Sequence, residues 1–211
     1  MWNRKALMQW TNSARRFGYR LPDFFPPENG EIIGAELGVY KGQHAELMLN
    51  RHPNLFLYCV DMWELWLERK IIYPGEPKSV TKNDMEDKKS VIEVYEEAKG
   101  RIKKFSNRFE FIKDDTISAT KKIKDGSLDF VYVDGDHTYD GCYNDLKAWW
   151  PKLKEDGLMA GHDYGRKADD FGVPRAIKQF AKEHDLTAIP NGVVGRQSGC
   201  WIYVKGGHTD V

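Results

Sequence analysis

Apolar positions along this chain recur with two spacings, and the changes between them mark its elements. From Trp2 to Phe17, apolar Trp2, Ala6, Leu7, Trp10, Ala14 and Phe17 fall at helical intervals between Arg and Lys residues, predicting an amphipathic helix. Leu21-Pro22-Asp23-Phe24-Phe25-Pro26-Pro27 reads as an extended linker, because each proline disfavours helix in the residue before it. Residues 1–29 are therefore expected to form a lid or cap on a domain covering 30–211. That domain opens with an apolar run, Ile32 to Leu37, followed by a helical pattern over Gln43–Arg51 and a second apolar run, Leu55 to Val60, ended by Asp61. Strand, helix, strand in succession predicts a parallel sheet.

The stretch 62–89 is irregular, with Trp63 and Trp66 followed by Tyr73-Pro74-Gly75-Glu76-Pro77, and is expected to be a mobile functional loop. Val91, Val94, Tyr95, Ala98 and Ile102 return to helical spacing, and Phe109 to Ile112 predicts a short third strand closed by Asp114-Asp115-Thr116. A helix is expected over Ser118–Lys124, ended by the turn pair Asp125-Gly126. Leu128 to Val133 predicts a fourth strand, Asp140 to Leu153 a helix kinked or broken near Pro151, and Leu158 to Gly161 a short fifth strand. Val173 to His184 reads as a helix with Pro174 in its first turn, where a missing N–H costs little. Thr187–Val194 and Cys200–Val204 predict two closing strands joined by a hairpin turn.

Composition narrows the function classes. Lys+Arg and Asp+Glu are equal at 32 each, so no overall basic field favours nucleic acid or an anionic membrane, and a small-molecule acceptor is expected. The cysteines Cys59, Cys142 and Cys200 lie at wide, unpatterned spacing that fits neither a disulfide framework nor a C-x-x-C site. With no secretory h-region after Met1 and no apolar run of membrane-spanning length, a soluble cytoplasmic protein is expected. Homo-oligomerisation stays open.

The chemistry is expected where strands end. After the first strand, Glu36-Leu37-Gly38-Val39-Tyr40-Lys41-Gly42 places an acid before two glycines that permit a tight turn and close approach of a ligand to the backbone. Neither G-x-G-x-x-G nor G-x-x-x-x-G-K-[ST] is present. Asp61 ends the second strand about 25 residues after Glu36, suiting vicinal ribose hydroxyls, although a helix N-cap is the plain alternative. Asp115 ends the third strand, Asp134 and Asp136 follow the fourth, and His162-Asp163 follow the fifth. In an open parallel sheet these ends converge on one crevice.

Taken together, Glu36-x-Gly38-x-x-x-Gly42 with Asp61, Asp115 and Asp134 resembles the class I S-adenosylmethionine-dependent methyltransferases from about Gly30 to the C-terminus. Val133-Asp134-Gly135-Asp136-His137-Thr138-Tyr139, Trp149-Trp150-Pro151-Lys152-Leu153 and Ala160-Gly161-His162-Asp163-Tyr164 are similar to a subgroup including macrolide and aminocoumarin sugar O-methyltransferases. The resemblance implies a Rossmann-like α/β fold with a seven-stranded, mostly parallel sheet, its last strand antiparallel and helices on both faces. It implies S-adenosylmethionine held by Glu36, Gly38, Tyr40 and Gly42, with Asp61 on the ribose, Asp115 and Thr116 at the adenine, Met62 or Trp63 against the purine, and Asp134 beside the cofactor. It further implies a divalent cation, Mg²⁺ or Mn²⁺, on Asp134, His162 and Asp163, with Asp136 matching the general base. The departure is His162, where the sugar enzymes carry a carboxylate; an imidazole shifts preference from Mg²⁺ towards Mn²⁺, Fe²⁺ or Zn²⁺.

Plainer roles compete. Asp136 and His137 also read as turn and cap residues, His137 is a second candidate for the proton, and His162 serves equally as a metal-free base or a buried structural histidine. The leading expectation is an O-methyltransferase acting on a small polyhydroxylated acceptor such as a sugar. The competing readings are a non-catalytic S-adenosylmethionine-binding accessory protein and a metal-assisted hydroxylase on the same scaffold.

Overall fold

A computed structural model describes residues 30–63, 88–164, 172–186, 189–191 and 199–206. The expected N-terminal helix, the linker, most of the 62–89 loop and the turn before the last strand lie outside the described residues. Strands β1 (Ile32–Leu37), β2 (Leu55–Asp61), β3 (Phe109–Lys113), β4 (Leu128–Val133), β5 (Leu153–Gly161), β6 (Ile189–Asn191) and β7 (Cys200–Val204) form one seven-stranded sheet in the order β3-β2-β1-β4-β5-β7-β6. The pairs among β1 to β5 are parallel, and β7 runs antiparallel to both β5 and β6. No helix among the described residues is long and apolar enough to cross a membrane.

Alternation along the strands feeds two cores, one on each face. Leu57 and Cys59 of β2, Phe130 and Tyr132 of β4 and Ile202 of β7 face helices α1 (Gln43–Arg51) and α2 (Lys88–Ile102), which contribute Ala45, Met48, Leu49, Ala98 and Ile102. Val131 and Val133 of β4, with Trp201 and Tyr203 of β7, face α4 (Tyr139–Trp149) and α5 (Val173–Glu183) through Leu146, Trp149, Ile177 and Phe180. Each fully buried large side chain contributes roughly 1.5–3 kcal/mol.

The register positions the site. Ile112, Val60, Leu37, Val133 and Gly161 lie in one row across β3, β2, β1, β4 and β5. The residues that follow them, among them Asp61, Gly38, Asp134 and His162, therefore emerge side by side along one edge of the sheet.

Several boundaries differ from the sequence reading. The helix expected over Ser118–Lys124 is a single turn, α3 (Thr116–Ala119), continued by a 3₁₀ turn at Thr120–Lys122. Its start moves upstream because the Asp115 carboxylate accepts the Ser118 N–H and caps there. Helix α4 ends at Trp149, and Pro151 falls in a 3₁₀ turn, Trp150–Lys152. Strand β5 starts at Leu153, five residues before the predicted Leu158. Leu153 pairs Leu128, a register shift follows, and exposed Glu155 and Asp156 interrupt the apolar run. Helix α2 begins at Lys88, inside the stretch expected to be loop.

Candidate active site

The turn after β1 is fixed by its neighbours on both sides. Gly38 donates its N–H to the Val60 carbonyl at 2.9 Å, and Asp134 donates its N–H to the Leu37 carbonyl at 2.9 Å. With φ +85°, Gly38 lies so close to the β4 exit that a Cβ there would stand 2.3 Å from the Asp134 carbonyl oxygen. Tyr40 follows at φ 50° with an exposed side chain, and Gly42, φ 73°, stands at the N-cap of α1.

Asp61 ties this turn to the end of β2. Its Oδ2 accepts the Tyr40 N–H at 2.8 Å and its Oδ1 the Trp63 N–H at 2.9 Å. Burial pushes its pKa up, and the amide donors, Trp63 and Tyr40 foremost, pull against it. Of the two residues expected near the purine, Trp63 is core. Its ring packs 4.8 Å from Tyr95 and 5.4 Å from Phe111, and its indole N–H donates to the Tyr40 carbonyl. Met62 is also buried.

Beneath the turn, buried Glu36 meets His44 of α1, Oε1 to Nδ1 at 2.9 Å, and the His44 ring lies 4.2 Å from that of Tyr132. The Glu36 Oε2 and the His44 Nε2 are both buried without a hydrogen-bond partner among the described residues. Burial raises the Glu36 pKa, with His44 opposing. The unpartnered Glu36 Oε2 leaves an acceptor for a ligand's ammonium group, such as that of a methionine moiety.

On the β3 side, the Thr116 hydroxyl hydrogen-bonds to the carboxyl of Asp145 in α4, and the Trp149 indole N–H donates to the Thr116 carbonyl at 3.0 Å. Asp145 is buried, its Oδ2 has no partner among the described residues, and burial lifts its pKa to about 7. Sequence reasoning missed this acid, since an Asp in mid-helix reads as a solvated face.

At the ends of β4 and β5 four side chains meet. Asp134, His162 and Asp163 each offer a ligand atom, and these atoms all lie within 4.8 Å of one another. His162 Nδ1 stands 3.3 Å from Asp163 Oδ1 and 4.0 Å from Asp134 Oδ1. His137 joins them, its Nε2 2.9 Å from Asp163 Oδ2 and 3.5 Å from Asp134 Oδ1. Burial works against protonation of His137, but its bonds to Asp134 and Asp163 prevail and carry its pKa to about 9. Burial likewise opposes ionisation of Asp163, yet the two imidazoles hold it well below the usual carboxylate range. The donor set of two carboxylates and imidazole fits a borderline divalent cation. Trp201 of β7 braces the site by donating its indole N–H to the His162 carbonyl at 3.1 Å. Asp136 stands apart: its Oδ1 accepts the Thr138 N–H at 2.8 Å, and the carboxylate packs against Gly141 in the first turn of α4.

The stretch from β1 to the end of β5 has a counterpart among known proteins. Residues 35–164 match the family described as "Methyltransferase domain". The chain belongs to this family. No curated protein matches the methyltransferase. Among solved structures, a Corynebacterium glutamicum protein is 14% identical at TM-score 0.57, over 98% of this chain and 92% of its own. A Streptococcus mutans protein solved with S-adenosylhomocysteine is 10% identical at 0.55, over 84% and 90%. The O-methyltransferase NovP is 14% identical at 0.53, over 95% and 78%. At these identities the likeness is one of fold: the Rossmann-like methyltransferase architecture with its antiparallel last strand. The family match makes methyl transfer the chemistry of this chain.

Proposed function

We propose that the methyltransferase transfers the methyl group to a hydroxyl of a small polyhydroxylated acceptor such as a sugar, with a divalent cation held by Asp134, His162 and Asp163. The observation that carries this reading is the convergence of those three side chains, ligand atoms within 4.8 Å, beside the Gly38 turn. A bound cation supplies Lewis acidity that makes a weakly acidic hydroxyl a competent nucleophile at neutral pH. Sulfonium methyl transfer to an acid or a thiol would need no such help.

The chain's own groups divide the work. Gly38, Tyr40 and Gly42 line the donor's amino-acid portion, where Glu36 Oε2 accepts from the ammonium. Asp61, while bonded to two backbone amides, retains lone pairs for the ribose hydroxyls, and Asp115 and Thr116 border the adenine. Asp136, partly exposed at the head of α4, takes the acceptor's proton. Holding donor and acceptor in line supplies much of the rate.

The test is incubation with S-adenosylmethionine and a panel of glycosides, catechols and carboxylic acids, with and without chelator, read by mass spectrometry. One methyl added to a glycoside, lost in chelator and restored by Mn²⁺ or Mg²⁺, is the expected outcome. Turnover unaffected by chelator, or confined to carboxylic acids, would refute the reading.

A further inference from the structure

We infer that Asp145 is a positioning residue for the base of the methyl donor: from α4 it fixes Thr116, and with it the exit of β3, against the turns that follow β1 and β4. The inference rests on the reading of Asp115 and Thr116 as the adenine edge of the donor site, and it names what holds that edge in place.

The β3 exit is the least supported wall of the crevice. β3 is the outer strand of the sheet, paired among the described residues with β2 alone, and the Asp114 N–H to the Asp61 carbonyl, 3.2 Å, carries that pairing one residue past the strand. Helix α3 beyond it is a single turn in which Ala119 is the buried residue. So little buried apolar area does not by itself fix the backbone at Thr116.

Helix α4 supplies what is missing. Asp145 and Trp149, one turn apart on the same helix face, both bond to Thr116: its hydroxyl donates to Asp145 Oδ1, and its carbonyl accepts the Trp149 indole N–H at 3.0 Å. Both side chains are buried. The second Asp145 oxygen, Oδ2, is buried without a partner among the described residues and lies 3.7 Å from where a Cβ on Gly135 would stand, a point 3.9 Å from the Gly38 nitrogen. One carboxyl thus lies between the end of β3 and the adjoining turns after β1 and β4. A mid-helix acid with an unpartnered buried oxygen weakens the fold, as its raised pKa records. What an apolar side chain at that position would lack is the bond to Thr116.

The alternative is that Asp145 serves the fold and nothing else. Full-length wild type, Asp145→Ala, Asp145→Asn, Thr116→Val and the double variant carrying Asp145→Ala with Thr116→Val are titrated by calorimetry with S-adenosylhomocysteine and with S-inosylhomocysteine, whose base carries an oxo group in place of the amino group. Thermal melts keep each titration well below unfolding; should Asp145→Ala not fold, Asp145→Asn and Thr116→Val carry the test. As a positioning residue, Asp145 makes the Ala substitution weaken S-adenosylhomocysteine at least about fivefold while S-inosylhomocysteine changes little, so the preference for adenine shrinks. Thr116→Val should do the same, and the double variant should match it, because both substitutions remove one bond. Asp145→Asn keeps an acceptor for the hydroxyl and should stay within about twofold of wild type. Unchanged affinities, equal weakening of both ligands, additive losses in the double variant, or a loss in Asp145→Asn as large as in Asp145→Ala overturns the assignment while leaving the donor site intact. Wild type that binds the two ligands equally removes the adenine edge, and wild type that binds neither removes the donor site, each taking the inference with it.

Discussion

Replacing Asp145 with Asn should abolish a large pH dependence of stability. The carboxyl lies at the middle of α4, bonded through one oxygen to Thr116, with the other oxygen buried and unpartnered among the described residues. Burial carries its pKa from an ordinary 3.8 to about 7. The native state therefore binds this proton more tightly than the unfolded chain does. The stability contributed is complete below about pH 4 and is lost as pH rises towards 7. At about 1.4 kcal/mol per pH unit, the whole interval is worth roughly 4 kcal/mol, and the part between pH 5 and 8 roughly 2–3 kcal/mol. Asparagine keeps the shape and an acceptor for the Thr116 hydroxyl but cannot ionise. Urea unfolding of both proteins at pH 5, 6, 7 and 8 isolates the effect, because every other titrating group cancels in the difference. The variant should gain roughly 2–3 kcal/mol on wild type across that range. Parallel stability curves would show that Asp145 is ionised in the native state, and the account of its burial would be wrong.

Gly38→Ala forces a Cβ within 2.3 Å of the Asp134 carbonyl oxygen at a positive φ, so it should cost at least about 2 kcal/mol and weaken S-adenosylhomocysteine binding more than tenfold. Gly30→Ala, also at positive φ but with nothing within 4 Å, should cost only about 1 kcal/mol and leave binding unchanged, as calorimetry and thermal melts would report. Asp61→Ala leaves the Tyr40 and Trp63 amides without their acceptor and should cost about 1–3 kcal/mol by urea unfolding, with a matching loss of S-adenosylhomocysteine affinity. In chelator, the raised pKa of His137 makes its stabilisation complete below about pH 6.5 and lost as pH rises through about 9, so His137→Gln should flatten the stability profile over that alkaline range.

The parts of the fold legible in the sequence were those whose burial follows a single period. Strands β1, β2 and β4 are near-continuous apolar runs because both faces are covered, and α1 and α5 carry plain apolar stripes. The first half of β5 was hidden because exposed Glu155 and Asp156 interrupt its apolar pattern where the register shifts. The helix after β3 was overextended because Ile123, which is buried, continues the apolar spacing past the point where the backbone tightens into a 3₁₀ turn. Within the site, the acids at strand ends were readable because sheet topology gives position to sequence order. Asp145 was not, since it acquires its role only from a partner on another element, Thr116.

The brace between Trp201 and the His162 carbonyl ties the site to a strand that follows every other part of it in the sequence. β7 supplies the antiparallel partner of β5, and its Trp201 side chain packs within 2.6 Å of where a Cβ on Gly161 would stand, immediately before His162. On a ribosome that has released the chain only as far as residue 199, β5 is still an open edge and His162 has nothing behind it. Strands β1 to β4 can assemble first, but the far end of β5 must wait for β7 to emerge. Nascent chains stalled before Trp201 should therefore hold the Gly38 turn in place while His162 lacks its brace.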